Sequence, residues 1–294
     1  MNTTKHIVIL GGSYGGVSTA HYLLKHAIPH LPDHRVVLIS PASQVLCRPA
    51  CPRALISDEL LPQNKLFVNI AQVFDQYAKN SFKYIRGAAT KVNHSNRKVT
   101  VSLHNGDTEA FEFHALIVAT GSSTPSPLLS MNRDENYLRD SWTSFRKALP
   151  AAKNIVIAGG GPAGIETAGE LGEYLNGHAG WFSSELSNPK VSITVVTSGS
   201  QILPLLRPSI AQKAEAYLAK VGVTVVKGSK VQAVSPEDAG TSSNLTAAAT
   251  VTLHDGTTLE ADLYIPAVSK SMEKRILRFG VFECYKNRRL VNKS

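Results

Sequence analysis

Two glycine clusters are the residues of this chain best placed to do chemistry. Gly11-Gly12-Ser13-Tyr14-Gly15-Gly16 directly follows the apolar run His6-Ile7-Val8-Ile9-Leu10, and Gly159-Gly160-Gly161-Pro162-Ala163-Gly164 directly follows Asn154-Ile155-Val156-Ile157-Ala158. A glycine turn that leads from a strand into a helix brings free N–H groups and the positive end of the helix dipole up to a phosphate. In a dinucleotide fold the first glycine permits the tight turn, the second lets backbone approach the pyrophosphate, and the third lets helix pack on strand. Gly159, Gly161 and Gly164 fill all three roles. In the first cluster the roles fall on Gly11, Ser13 and Gly16, so the close-approach position carries a Cβ that crowds the phosphates and a hydroxyl that could donate to them. A single such turn often serves only chain reversal. Two copies 148 positions apart, each between a strand and a helix, point to two nucleotide sites.

The carboxylate that would bind the adenosine ribose at the end of the second strand of each unit is missing, and Ser40 and Thr197 stand in its place. Neither forces NADH over NADPH, and Arg207 is too far along the chain to decide.

The elements that must hold these turns follow from periodicity. Val17 to Lys25 continues the first strand and turn at helical spacing, and Arg35 to Ile39 is a second buried strand, which completes a βαβ unit at the N-terminal end. Residues 82–118 alternate instead, with Asn105-Gly106-Asp107 as a hairpin turn, and predict an inserted antiparallel meander. Residues 126–150 read as a connector with one short helix. The opening pattern then recurs: a helix from Pro162 to about Leu175, a strand at 191–196, a helix at 210–221, and strands at 223–226 and 250–253, with 239–249 as a loop insertion. The expected fold class is α/β, with a first nucleotide-binding domain over 1–125, a second over 151–268, and a basic tail at 269–294.

Composition limits the alternatives. With 294 residues and 43% hydrophobic content the chain can bury a substantial core. The net charge of +9 is concentrated at the C-terminal end, where residues 269–294 hold eight Lys or Arg against Glu273 and Glu283. The body is only mildly basic and carries no recognisable nucleic-acid motif, so no nucleic-acid partner is expected. Three cysteines do not make a secreted disulfide framework, no apolar run reaches the roughly 20 residues that span a bilayer, and no room precedes the first strand for a leader. A cytoplasmic protein, at most peripheral to a membrane and with no metal site, is expected.

Three motifs in order, residues 8–16, Leu116-Ile117-Val118-Ala119-Thr120-Gly121-Ser122 and residues 157–166, resemble the pyridine nucleotide–disulfide oxidoreductase superfamily. Within it the likeness is to apoptosis-inducing-factor-like and ferroptosis-suppressor-like NAD(P)H:quinone oxidoreductases of fungal type, over about residues 5–268. The resemblance implies two Rossmann-like domains, the NAD(P) domain inserted in the FAD domain. It implies that FAD and NAD(P)H are the cofactors, that residues 11–16 bind the FAD pyrophosphate, that Arg53 contacts FAD, that Ala119, Thr120 and Gly121 pass near the flavin with Lys65 beside it, and that Glu166 lies near the nicotinamide. Hydride would pass from NAD(P)H to the flavin and electrons onward to a quinone or other small acceptor; no protein acid or base is demanded by the first step, and no catalytic residue is named.

Cys47 and Cys51 lie where disulfide-reducing members of that superfamily carry a redox pair, though at a different spacing, so a thiol–disulfide reductase is one alternative. Another is a non-catalytic nucleotide-binding protein. Relatives continue past Tyr264-Ile265-Pro266-Ala267 to a Gly-Asp at the flavin ribityl chain, which this sequence lacks after Val268. A truncated chain with a tail foreign to the fold is expected, a shortened natural homologue being the other explanation.

Overall fold

Val8, Ile9 and Leu10 are successive residues of one strand, yet all three are buried, so this strand must be covered on both faces. The computed structural model, which describes residues 4–268, shows how. Strand β1 (Lys5–Leu10) runs into helix α1 (Tyr14–His26) and back through β2 (His34–Ser40), which pairs parallel to β1. A short antiparallel pair, β3 (Gln44–Leu46) and β4 (Phe67–Asn69), brackets helix α2 (Cys51–Ile56) and leads to helix α3 (Ile70–Phe74). Then come β5 (Phe82–Asn93), β6 (Lys98–Leu103), β7 (Thr108–Glu112) and β8 (Ala115–Val118), giving the sheet order β7-β6-β5-β2-β1-β8.

The expected meander is present, but it is not a separate insertion. β5 is one long strand that pairs parallel to β2 over Phe82–Arg86 and then antiparallel to β6 from Gly87 onward. Gly87 marks the change, since a Cβ there would sit 2.6 Å from the Val101 side chain and 2.8 Å from the Ser102 carbonyl oxygen. The curl lays Val92, Val99, Val101 and Phe113 over the Val8/Leu10/Val37/Ile39 face, while α1 and α3 cover the Ile7/Ile9/Val36/Leu38 face.

Residues 126–150 differ from the short-helix connector expected there. Helix α4 (Glu135–Ala148) is 14 residues long, capped by the Asp134 carboxylate on Tyr137 N, and its Trp142 and Phe145 are fully buried in the same core as Ala54 and Ile155. That segment joins the two halves by packing.

The second half repeats the first. β9 (Asn154–Ala158), helix α5 (Pro162–Asn176), β10 (Ser192–Val196), helix α6 (Pro208–Lys220) and β11 (Val223–Val226) precede β12 (Val231–Ser235), β13 (Ala249–Leu253), β14 (Thr258–Ala261) and β15 (Leu263–Pro266). The parallel sheet β11-β10-β9-β15 has α5, α6 and α4 on its Ile155/Ile157/Ile193/Val195 face, and the antiparallel sheet β12-β13-β14 on its Val156/Ala158/Tyr264 face. Val231–Ser235 is mostly exposed and carries no clean alternation of burial, so β12 leaves no periodic signal in the sequence. The 239–249 loop is found as expected, though Ala239 is buried in the core. The insertion of one domain in the other requires the chain to return to the first sheet after residue 268; that step, the missing Gly-Asp strand and the 269–294 tail lie outside the described residues.

Candidate functional site

Each glycine turn is built from the same backbone bonds. Gly11 N donates to Ile39 O and Ala119 N to Leu10 O, both at 2.8 Å; Gly159 N donates to Val196 O and Ala267 N to Ala158 O, also both at 2.8 Å. Gly11 and Gly159 have φ of +113° and +137°, and a Cβ would fall 2.2 Å from the Ala119 carbonyl oxygen and 2.5 Å from that of Ala267. Only glycine meets both demands. A Cβ on Gly16 or Gly164 would strike the carbonyl oxygen of Gly11 or Gly159 at 1.7 or 2.1 Å, so the third glycine does set how closely helix and strand pack. A Cβ on Gly12 or Gly160 would fall 2.6 Å from Ser40 Oγ or Thr197 Oγ1, so these positions are tight as well.

Gly161 is different. Its φ of −79° suits any residue, and a Cβ there would meet no protein atom within 4 Å. Nothing in the protein requires glycine at Gly161. The space it leaves lies at the N-terminus of α5, where backbone N–H groups point outward, and this fits a pyrophosphate held by main chain. Ser13 in the first turn caps α1 without a side-chain hydrogen bond, which leaves its hydroxyl available.

Beside the first turn lies a cavity of about 300 Å³. Gly11, Gly12, Ser13, Ser40, Ala119 and Thr120 line it, together with four groups not predicted as contacts: Arg48, the Gly87-Ala88-Ala89 stretch of β5, Asn132 and Arg133. Gly15 and Gly121 are not in its wall; a Cβ on Gly15 would make only an ordinary contact, 3.7 Å from the Ala119 side chain, and Gly121 turns at φ +73° into open space. Tyr14, half-exposed, accepts a hydrogen bond from Arg48 N at 3.1 Å and so ties the Arg48 loop to the start of α1. Arg48 lies between Cys47 and Cys51 in no recognised motif; the available signal was a cation placed just after the first βαβ unit. Gly87 in an otherwise alternating strand was the signal for the third wall.

Ser40 and Thr197 are both buried, and their hydroxyls accept hydrogen bonds from Ala42 N (3.3 Å) and Gly199 N (3.4 Å). Both fold the chain at the strand ends, and Ser40 also lines the first cavity. A buried carboxylate holds the next turn: Glu135 accepts from Ser43 N (2.9 Å), from the Ser43 hydroxyl and from Arg86 (3.3 Å).

Arg53 and Lys65 are placed elsewhere. Arg53 donates twice from Nε to the Glu170 carboxylate, at 3.1 and 2.9 Å, and pairs through a second nitrogen at 2.8 Å, which bridges α2 to α5. The Glu170 bond raises the Arg53 pKa further. Lys65 is exposed on a turn over Gln63–Lys65 and lines neither cavity. A second cavity of about 470 Å³ opens between α2, α5 and α6, lined by Arg53, Glu166, Glu170, Glu173 and Tyr217 among apolar neighbours. Desolvation and then Glu170 raise the Glu166 pKa, and burial with a 2.9 Å bond to Glu173 pushes Tyr217 up to about 12. Glu166 therefore lines this groove, with the Glu170 carboxylate close by.

Cys47 is exposed and Cys51 partly buried, both free, with Cys51 Sγ 3.4 Å from Cys47 O. Burial pushes the Cys51 thiol up to about 12, the wrong direction for a thiolate nucleophile at neutral pH.

Two separate sheets, each with a glycine turn at the carboxyl end of its first, parallel-paired strand, define a two-site nucleotide-binding α/β protein. The family model for pyridine nucleotide-disulphide oxidoreductases matches residues 5–293, and the chain belongs to that family. It is 61% identical over 266 residues to the oxidoreductase phnG of Penicillium herquei, covering 90% of this chain and 64% of that protein. It is 27% identical over 243 residues to the demethylphylloquinone reductase NdbB of Synechocystis sp., covering 79% and 56%. NDH2 from Plasmodium falciparum in complex with NADH superposes with a TM-score of 0.70 at 17% identity, over 94% of this chain and 57% of that one, which shows the shared fold. The chain thus spans under two thirds of the length of each of these relatives. FAD and NAD(P)H are the cofactors that the family and these neighbours indicate. No helix among the described residues is long and apolar enough to cross a membrane.

Proposed function

We propose that this chain is the nucleotide-binding core of an FAD-dependent NAD(P)H oxidoreductase, with FAD at the first turn, the nicotinamide donor at the second, and a quinone or other small molecule as electron acceptor. The duplicated turn carries the reading: identical backbone bonds recur at Gly11/Ala119 and Gly159/Ala267, and the second copy leaves unfilled space at Gly161. Flavin, when bound, would supply the redox chemistry, taking hydride from NAD(P)H and passing electrons on. The protein's part is to bind and orient. Main-chain N–H groups of residues 12–16 and of residues 160, 161, 163 and 164 would hold the two pyrophosphates, Arg48 would add positive charge to the first cavity, and Ala119 and Thr120 would form its inner wall.

The quinone-like acceptor is supported by the resemblance to NdbB, and a cytoplasmic location belongs to the same reading. The thiol–disulfide alternative has weaker support, because the Cys51 thiol is held protonated by burial.

The visible spectrum of the purified protein, followed anaerobically as NADH or NADPH is added, tests the proposal. A flavin band that bleaches on addition is the expected outcome. A folded, colourless protein that takes up no added FAD would overturn it and leave a non-catalytic nucleotide-binding protein.

A further inference from the structure

The end of β10 is where a dinucleotide fold distinguishes a ribose 2′-hydroxyl from a 2′-phosphate: a carboxylate there accepts from the hydroxyl and repels the phosphate. Thr197 occupies the position with a buried side chain turned onto Gly160 and onto Gly199 N, so no acidic group stands there. Beyond it Ser198 and Ser200 are both exposed, which leaves two hydroxyl donors on the rim.

The neighbouring strand adds charge. After β11 the chain runs Lys227-Gly228-Ser229-Lys230 and is fastened to the same rim, with Gly228 N donating to Gly199 O at 2.9 Å and Ser229 N to Thr197 O at 3.1 Å. Lys227 and Lys230 therefore each lie one residue from a backbone bond to the turn, and both are exposed. Lys227 Nζ sits 2.9 Å from the Glu215 carboxylate of α6, while the Lys230 side chain has no hydrogen-bond or ion-pair partner among the described residues. His254 packs on the far side, its Nδ1 3.4 Å from the Ser229 hydroxyl, and Asp255 follows it in the β13–β14 turn. The first half shows the contrast: the cation next to Ser40 across the sheet, Arg86, is held by the buried Glu135 and is not free for a ligand.

We propose that this rim binds a ribose 2′-phosphate, through the Ser198 and Ser200 hydroxyls and the charges of Lys227 and Lys230, and so selects NADPH over NADH. The proposal rests on the reading of the second turn as the nicotinamide site. A phosphate dianion opposite two ammonium groups gains charge-assisted hydrogen bonds that a 2′-hydroxyl cannot make.

The test is calorimetric binding of 2′,5′-ADP and of 5′-AMP, which differ only in the 2′-phosphate, to the purified chain, with no turnover required. 2′,5′-ADP is expected to bind about tenfold or more tighter. That advantage should shrink as salt rises through roughly 0.15 M. It should also fall severalfold in Lys227→Gln/Lys230→Gln, and be lost in Ser198→Asp, where an exposed position gains the repelling carboxylate. Equal or tighter binding of 5′-AMP would overturn NADPH selection while leaving the nucleotide site intact. A preference unchanged by the lysine pair would overturn the residue assignment. Failure of the folded protein to bind either compound would overturn the nicotinamide site itself, and this inference with it.

Discussion

The two halves use one backbone plan and surround it differently. In both, the first glycine lies beneath the carbonyl of the residue after the returning strand, and the third glycine lies against the carbonyl of the first. The first turn, with Ser13 at the close approach, borders a cavity walled by β5 and the Asn132 loop; the second, with Gly161, opens outward. The cation beside the first half's second strand is fixed by a buried carboxylate, whereas the lysines beside the second half's are exposed, Lys227 pairing with Glu215 and Lys230 with no partner among the described residues. Main-chain geometry is therefore what the repeat conserves within this molecule, and side chains on neighbouring strands make the two sites unlike. A turn holds phosphate by backbone alone, and phosphate is common to every dinucleotide; the groups that distinguish one dinucleotide from another must come from elsewhere.

The sharpest way to break the comparison is to remove the carboxylate that fixes the cation of the first half. Glu135→Ala leaves Arg86 and Ser43 N without their partner in a mostly buried site, and is expected to cost about 3 kcal/mol of stability in urea unfolding. A loss below about 0.5 kcal/mol would show that Glu135 does not hold the first half together.

The second prediction separates glycines needed by the fold from the glycine needed by a ligand. Gly164→Ala, whose Cβ would fall 2.1 Å from Gly159 O, should destabilise by about 1–3 kcal/mol. Gly161→Ala, facing open space, should unfold within about 0.5 kcal/mol of the parent. It should nevertheless weaken ADP binding by roughly tenfold, as a Cβ intrudes where the pyrophosphate approaches. Equal stability of the two variants would remove the distinction.

The smallest effect lies at the start of each first strand. Asp262 accepts from Lys153 N and Asn154 N at 2.8 and 2.9 Å, and these backbone bonds hold its pKa below the usual value; Asp33 is lowered to about 2 chiefly by its bond to Lys5, and then by His34. A folded-state pKa below the unfolded one adds stability that is complete above the unfolded value, near 3.9, and is lost as pH falls from there through the folded value. Thermal stability should therefore drop as pH is lowered past about 4. Asp262→Asn should flatten part of that drop, and added salt should weaken the Lys5–Asp33 share before the backbone-bonded Asp262 share. A melting profile from pH 5 to pH 2 whose slope is unchanged in Asp262→Asn would remove Asp262 from this account.

The sequence by itself determined the two strand–turn–helix units, their order and the class of ligand, because glycine without a Cβ and an uninterrupted run of buried apolar residues are local requirements that a linear pattern displays. Gly11, Gly16, Gly159 and Gly164 were legible for that reason. The tertiary structure alone decided which side chains complete each site. Arg53 reads as a ligand cation in the chain and proves to be tied to Glu170, 117 positions away; Arg48, which belongs to no motif in the chain, lines the first cavity. Trp142 and Phe145 read as part of a connector and fill the core between the halves. Charge pairing and burial depend on what folds against a residue from a distant part of the chain, and neither leaves a period in the sequence.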